Sequence, residues 1–297
     1  DVRRGTFQAT GQGYWDLSKF SSVGKASIAD FDGKFDSVAV THASVSSPYN
    51  ITSERLTLSK IEGRLFGGLM KGDVDVANWL VPPAISHQGS SHKLELEQQG
   101  TSRFQFNNVS VEDVIAGFGS RVPVLRRLNM AGDGDGDVQL RWKGELQNAS
   151  ADLTLNVAPP RTMWPGKLPL TAHLRGTYEG AAEDLQLTEF DAATRSTQIH
   201  ASGRLSSHAA LKISVESSNV AELQPVIASL GYTKLPIFRQ GNISFNGSAA
   251  GKLSAYSIYG VLKAEDFTRT YIVGIVDGRN CLASLAFQDS SVAYRGI

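Results

Sequence analysis

The chain has 297 residues, enough for one large domain, two ordinary ones or several units of a repeat, and 41% of them are hydrophobic. Its 29 basic and 29 acidic residues cancel, which removes the electrostatic footprint expected of a nucleic-acid-binding protein. A single cysteine, Cys281, excludes an internal disulfide framework and a multi-thiolate metal site.

The dominant hydrophobic period is two. In "DSVAVTHASV", Val38 and Val40 share one face while Ala39 and Thr41 share the other. "RLTLSKI" brings Leu56 and Leu58 together, "KLELEQQ" does so for Leu94 and Leu96, and "RFQFNN" for Phe104 and Phe106. Alternation of this length predicts strands with one apolar and one wet face.

The next segment changes period. "NVSVEDVIAGFGSRVPVLRRL" carries Val111, Val114, Ile115 and Phe118 at helical spacing, with Ser110 where an N-cap belongs and Asp113 three residues on. Arg121, Arg126 and Arg127 form a small basic cluster there, read as a solvated helix end.

Then comes "AGDGDGDVQLRWKG". Alternating Asp and Gly evokes a calcium loop, with Asp133 and Asp135 as the candidate ligands. An EF-hand starting at Asp133 needs glycine at its sixth position and glutamate at its twelfth; Val138 and Gly144 stand there instead. The preferred reading is a polar turn, its glycines free to take positive φ and its carboxylates in water. No cofactor and no metal are expected.

Alternation resumes with Val138, Leu140 and Trp142, then Leu153, Leu155 and Val157, then Leu185 and Leu187, then Leu211, Ile213 and Val215. "SNVAELQPVIASLGY" repeats the helical arrangement, with Asn219 as cap and Gly231 as stop, and Pro225 set to shorten or kink it. Ile243 and Phe245 open the next alternating run. Ser110 and Asn219 lie 109 residues apart, and Gly144 and Gly247 lie 103 apart, a weak internal repeat with units at 110–218 and 219–297. Asp1 at the start and "SSVAYRGI" at the end read as the edges of an internal slice of a longer protein, one continuous repetitive region over 1–297.

Catalytic signatures are missing from this pattern. There is no Gly-x-Ser-x-Gly elbow, phosphate loop or complete dinucleotide fingerprint, and of the six histidines only His87 and His92, in "SHQGSSH", are close enough to suggest zinc; with no cysteine nearby they are read as loop histidines in solvent. The sequence is read as non-enzymatic. Asn-x-Ser/Thr sequons at Asn50, Asn108, Asn148, Asn242 and Asn246 arise by chance in so Ser- and Thr-rich a chain.

Three phrases carry a family resemblance. "GYTKLPIFRQGNISFNGSAAGKLSAYSIYGVLKAEDF", "IEGRLFGGLMKGDVDVANW" and "STQIHASGRLSSHAALKISVESSNVAEL" resemble the recurring modules of the AsmA-like and TamB proteins of diderm bacteria, over most of residues 50–267. The order of the phrases carries the likeness more than any one motif. The resemblance implies an all-β fold: an elongated, twisted sheet curled into an open, taco-like groove, with two short helices. It implies a periplasmic location, with the full-length protein anchored in the inner membrane through parts outside this fragment. The implied roles are outer-membrane protein translocation and assembly and phospholipid transport between the two membranes. Implied partners are phospholipid acyl chains, amphipathic strands of outer-membrane proteins and an outer-membrane assembly barrel; nucleic acid is not among them.

On that reading the groove candidates are Leu56, Leu58, Leu94, Leu96, Phe104, Phe106, Val138, Leu140, Trp142, Leu153, Leu155, Ile213, Val215, Ile243 and Phe245. Two alternatives stand beside it. A β-sandwich or solenoid surface protein without lipid function buries the same alternation between two sheets, and a calcium-stabilised carbohydrate-binding β-protein would use the Asp133 segment.

Overall fold

The computed structural model describes residues 1–17, 19–35, 38–81, 97–118, 129–163, 165–219, 222, 241–252, 255–265, 270–274 and 287–289. The fold is all-β, in open antiparallel sheet with very few helical residues. Its contacts divide it into two units. Unit 1 holds Asp1–Arg121, Asp133–Thr154 and Tyr178–Ala181; unit 2 holds Val122–Gly132, Leu155–Thr177 and Ala182–Ile297.

Unit 1 begins with five strands in direct succession: β1 (Val2–Asp16), β2 (Lys19–Phe35), β3 (Val38–Thr52), β4 (Arg55–Leu65) and β5 (Gly68–Ala77). Then come β6 (Gln99–Ser110), helix α1 (Val111–Gly117) and, after β7 (Met130–Ala131), strand β8 (Asp133–Lys143). Each strand from β1 to β6 pairs antiparallel with the next, and β6 pairs with β8. The β4–β5 hairpin turns on two residues, Phe66 and Gly67, at φ 48 and 76, the left-handed pair that suits the right-handed strand twist. Phe66 holds this unfavourable conformation while packed on Phe118, with ring centroids 6.2 Å apart.

Four register shifts in unit 1 coincide with non-glycine residues at positive φ. Asp30, His42, Lys60 and Asn108 each lie where two residues of one strand oppose one of the next. Such bulges bend the strand and tighten its twist. Two of them are closed by an aspartate on the neighbouring strand: Asp32 accepts from the His42 N–H at 2.7 Å, and Asp135 from the Asn108 N–H at 2.8 Å. The His42 amide, with Arg4 at 2.9 Å, holds the Asp32 carboxyl below its usual pKa.

Unit 2 contains the short parallel pair formed by β7 and β10 (Leu168–Pro169). Strand β9 (Ser150–Ala158) and strand β11 (Thr171–Glu179) each contribute residues to both units. The sheet of unit 2 continues as β12 (Asp184–Ala193), β13 (Thr197–Ser206), β14 (Ala209–Ser217), β15 (Asn242–Lys252), β16 (Ala255–Glu265), β17 (Thr270–Gly274) and β18 (Phe287–Asp289). These too pair antiparallel in chain order.

The expected helix at Ser110 forms, and the Ser110 hydroxyl accepts from the Asp113 N–H at 3.2 Å as an N-cap should. Of the second expected helix only Asn219 and Glu222 fall within the described residues. The aspartate–glycine stretch is not a turn. Asp133 to Asp137 form the first half of β8, paired with β6 from Ser110 to Gln105, and none of Gly132, Gly134 and Gly136 has a positive φ. The Gly–Asp alternation is itself period two, and glycine supplies the face where a strand pattern ordinarily shows a side chain.

Candidate functional site

Residues directly opposite in antiparallel strands point to the same side of the sheet. The registers of unit 1 therefore assemble cross-strand rows. One runs Ile51, Leu56, Val76, Gly100, Trp142; the next runs Tyr49, Leu58, Val74, Ser102, Leu140. Gly72, Phe104 and Val138 form a third, and Gly63, Met70, Phe106 and Gly136 a fourth. These four rows contain no charged residue. The intervening rows of the same strands carry Arg55, Lys71, Asp73, Asp75, Arg103, Asp137 and Arg141. Arg55 donates to Asp75 through Nε and Nη2, and this hydrogen bonding holds the Asp75 carboxyl below its usual pKa.

The structure thus brings Leu56, Leu58, Phe104, Phe106, Val138, Leu140 and Trp142 to one apolar face. All seven are half-buried. On β9, Leu153 is half-buried and Leu155 is exposed. Leu94 and Leu96 lie outside the described residues. Sequence reading passed over Tyr49, Ile51, Ile61, Val74 and Val76 on this face, although "GDVDVA" alternates plainly enough to have revealed the two valines.

In unit 2 the alternation packs more tightly. Leu187, Leu205, Leu211 and Ala249 form a buried cluster, with Leu174, Leu185, Phe190, Ala201, Ile213 and Ile258 packed around it. Ile213 belongs to this cluster's rim and Ile243 is 5% exposed, while Val215 and Phe245, directly opposite each other, are half-buried. The opposite face is polar. There the imidazole of His200 bonds Asp191 through Nδ1 and that of His173 bonds Asn156 at 2.6 Å. Ser214 is the cross-strand neighbour of His200, yet among the described residues no hydrogen bond joins them.

The aromatic side chains of the apolar faces lie across glycines. A Cβ at Gly100 would fall 1.9 Å from Cζ2 of Trp142, and one at Gly72 would fall 2.5 Å from Phe104. Gly11 and Gly24 face the Tyr49 hydroxyl in the same way, and in unit 2 Gly247 and Gly260 face the Phe245 ring. Trp142 Nε1 and the Ser102 hydroxyl are buried without a hydrogen-bond partner among the described residues, each at a cost of about 1–3 kcal/mol.

Asp133, Asp135 and Asp137 line the polar side of β8 at strand spacing, and Asp135 is engaged by the Asn108 amide. Among the described residues, no group of three His, Cys, Asp or Glu side chains is placed to hold a metal ion. No described helix is long and apolar enough to cross a membrane. No protein-family model, curated protein or solved structure matches this chain.

Proposed function

We propose that this chain is part of a periplasmic, non-enzymatic groove protein of the TamB/AsmA-like kind, which carries phospholipid between inner and outer membranes and serves outer-membrane protein translocation and assembly. One observation carries the reading: four adjoining rows of unit 1 are free of charge, and their leucines, phenylalanines and tryptophan are only half-buried, on strands whose other side is charged. In a sandwich of this size inward-facing side chains are packed to near-zero exposure. Here no described side chain falls below 2%.

The physics of the cargo fits such a face. A diacyl lipid with roughly thirty methylenes faces a barrier of order 20 kcal/mol in open water at about 0.8 kcal/mol for each. A continuous apolar surface lets the tails leave one membrane without that exposure, while the headgroup stays hydrated. No covalent chemistry is needed, and the rate gain comes from lowering a transfer barrier.

Amphipathic strands of outer-membrane proteins are a second cargo, favoured by a separate observation. Strand β1 is exposed along all 15 of its residues and pairs with β2 alone among the described strands. Among the described strands its other edge is unpaired, and an unpaired edge can add a strand through main-chain hydrogen bonds. Cysteine pairs placed across that edge test this directly.

Photo-crosslinking from Leu140 and from Phe245 in lipid-containing cells tests the main reading. Adducts identified as phospholipid by mass spectrometry are the expected result. A folded protein that captures no lipid from either position removes the proposal's support.

A further inference from the structure

We propose that the polar side of unit 2 binds a neutral glycan chain, with Tyr259 as its stacking platform and the row His200, Ser214, Asn246 reading its hydroxyls. The site goes beyond the lipid-carrying reading and uses none of the residues which that reading invokes.

Pairing registers place the groups. One row on this side runs Asp191, His200, Ser214, Asn246, Val261 across β12 to β16. Two residues along each strand, about 7 Å away, a second row runs Ser202, Lys212, Ser248, Tyr259. The other flank carries a third, Gln198, Glu216, Ser244, Lys263, and these residues line a recess of about 450 Å³. The side is open to solvent: Gln198, His200, Lys212, Asn246 and Tyr259 are all exposed.

The groups match the two surfaces of a sugar ring, an apolar C–H face and a rim of hydroxyls. Tyr259 is 47% exposed on an otherwise polar row, and Val261, its neighbour on the same side of β16, is exposed equally. Together they offer a platform for the C–H face. The hydroxyl rim is served best by donors and acceptors already fixed in place. His200 meets that need, because its Nδ1 donates to Asp191 and in the neutral imidazole Nε2 is left as an acceptor. Asn246 adds an amide that both donates and accepts, and Ser214 lies between the two with a hydroxyl that does the same.

Charge and backbone then exclude other occupants. Across the three rows Lys212 and Lys263 are balanced by Asp191 and Glu216, so no net field draws a polyanion. Hydroxyl, amide or charged groups interrupt every row, which denies an acyl chain a continuous apolar strip. The main chain is already paired within the sheet, so an extended peptide gains no ladder here.

Calorimetric titration of the full chain with cellotetraose, maltotetraose and chitotetraose, each taken to about 10 mM, tests the site. At least one should bind with a Kd of about 1 mM or tighter. Tyr259→Ala should weaken that binding about tenfold and Asn246→Ala about fivefold, while Tyr259→Phe should retain it. Both positions are exposed, so the thermal midpoints should stay where they are. Absence of binding by all three tetrasaccharides overturns the inference. So does undiminished binding by folded Tyr259→Ala, or a loss in Tyr259→Phe as large as in Tyr259→Ala. Heparin bound more tightly than every neutral chain, and released by salt, would also overturn it by marking the surface as charge-driven. Lipid carriage is decided by the photo-crosslinking described above and stands or falls independently of these results.

Discussion

Units 1 and 2 apply one sequence rule to different ends. Both alternate apolar and polar residues with period two, and apart from the short β7–β10 pair both join their strands antiparallel in chain order. In unit 2 the apolar side gathers Leu187, Leu205, Leu211 and Ala249 into a buried cluster, with further leucines and isoleucines around it. In unit 1 the corresponding side spreads into rows in which Leu56, Leu58, Phe104, Leu140 and Trp142 stay half-buried and glycines occupy many of the places between. Alternation specifies which side is apolar. How far that side closes depends on the size of the residues that share it.

The difference can be broken by mutation. The largest effect is expected in unit 2, where Leu211→Ala should cost about 3 kcal/mol by leaving a cavity in a packed cluster. Leu58→Ala in unit 1 should cost about 1 kcal/mol, because its side chain is only half removed from water. Urea unfolding followed by hydrogen exchange on peptides from each unit measures both. Equal losses would mean that unit 1 has a core as firm as that of unit 2.

Ser110→Ala comes next, at about 1 kcal/mol for a lost N-cap. Its effect should be confined to α1 and read as faster exchange of the amides from Asp113 to Gly117. On the charged side of unit 1, Asp75→Asn should cost a few tenths of a kcal/mol at neutral pH, since Arg55 and Asp75 are both partly in solvent. The folded pKa of Asp75 is depressed, so its contribution is present above the unfolded value of about 3.9 and is lost as pH falls through the folded value. Acid titration of stability should therefore be shallower in the variant below pH 4. The smallest expected effect is none: calcium and a chelator should give the same thermal midpoint, because Asp135 is already occupied by the Asn108 amide and among the described residues no third ligand converges.

Much of this architecture was legible in the residues. Period-two alternation located β3, β4, β6, β8, β9, β12, β14 and β15, and Ser110 marked the start of α1. β1 and β2, of 15 and 17 residues, were not legible. β1 and β2 place Ala9, Gly11, Gly13, Gly24 and Ala26 where alternation would need larger apolar residues, so their pattern is too faint to read. "GDGDGD" was misread for the same reason. Glycine is a turn signal by propensity, and only cross-strand pairing reveals one that lies under a neighbour's ring or opposite a bulge. The candidate face shows both limits. Leu140 and Trp142 were found from alternation, whereas the role of Gly100 depends on a contact 42 residues away in sequence.

From β1 to β6 each strand pairs with the one synthesised immediately before it, so a hairpin can close as soon as its second strand exists. Loop-closure entropy stays small from β1 to β5, where the connections are short, and folding can proceed locally along the chain. The same arrangement governs how such a protein changes length in evolution. Loss of one strand reverses the direction of every strand after it. Loss or duplication of a hairpin preserves direction and leaves each later side chain on its original side. Hairpins, taken whole, are the increments by which this sheet can be shortened or extended.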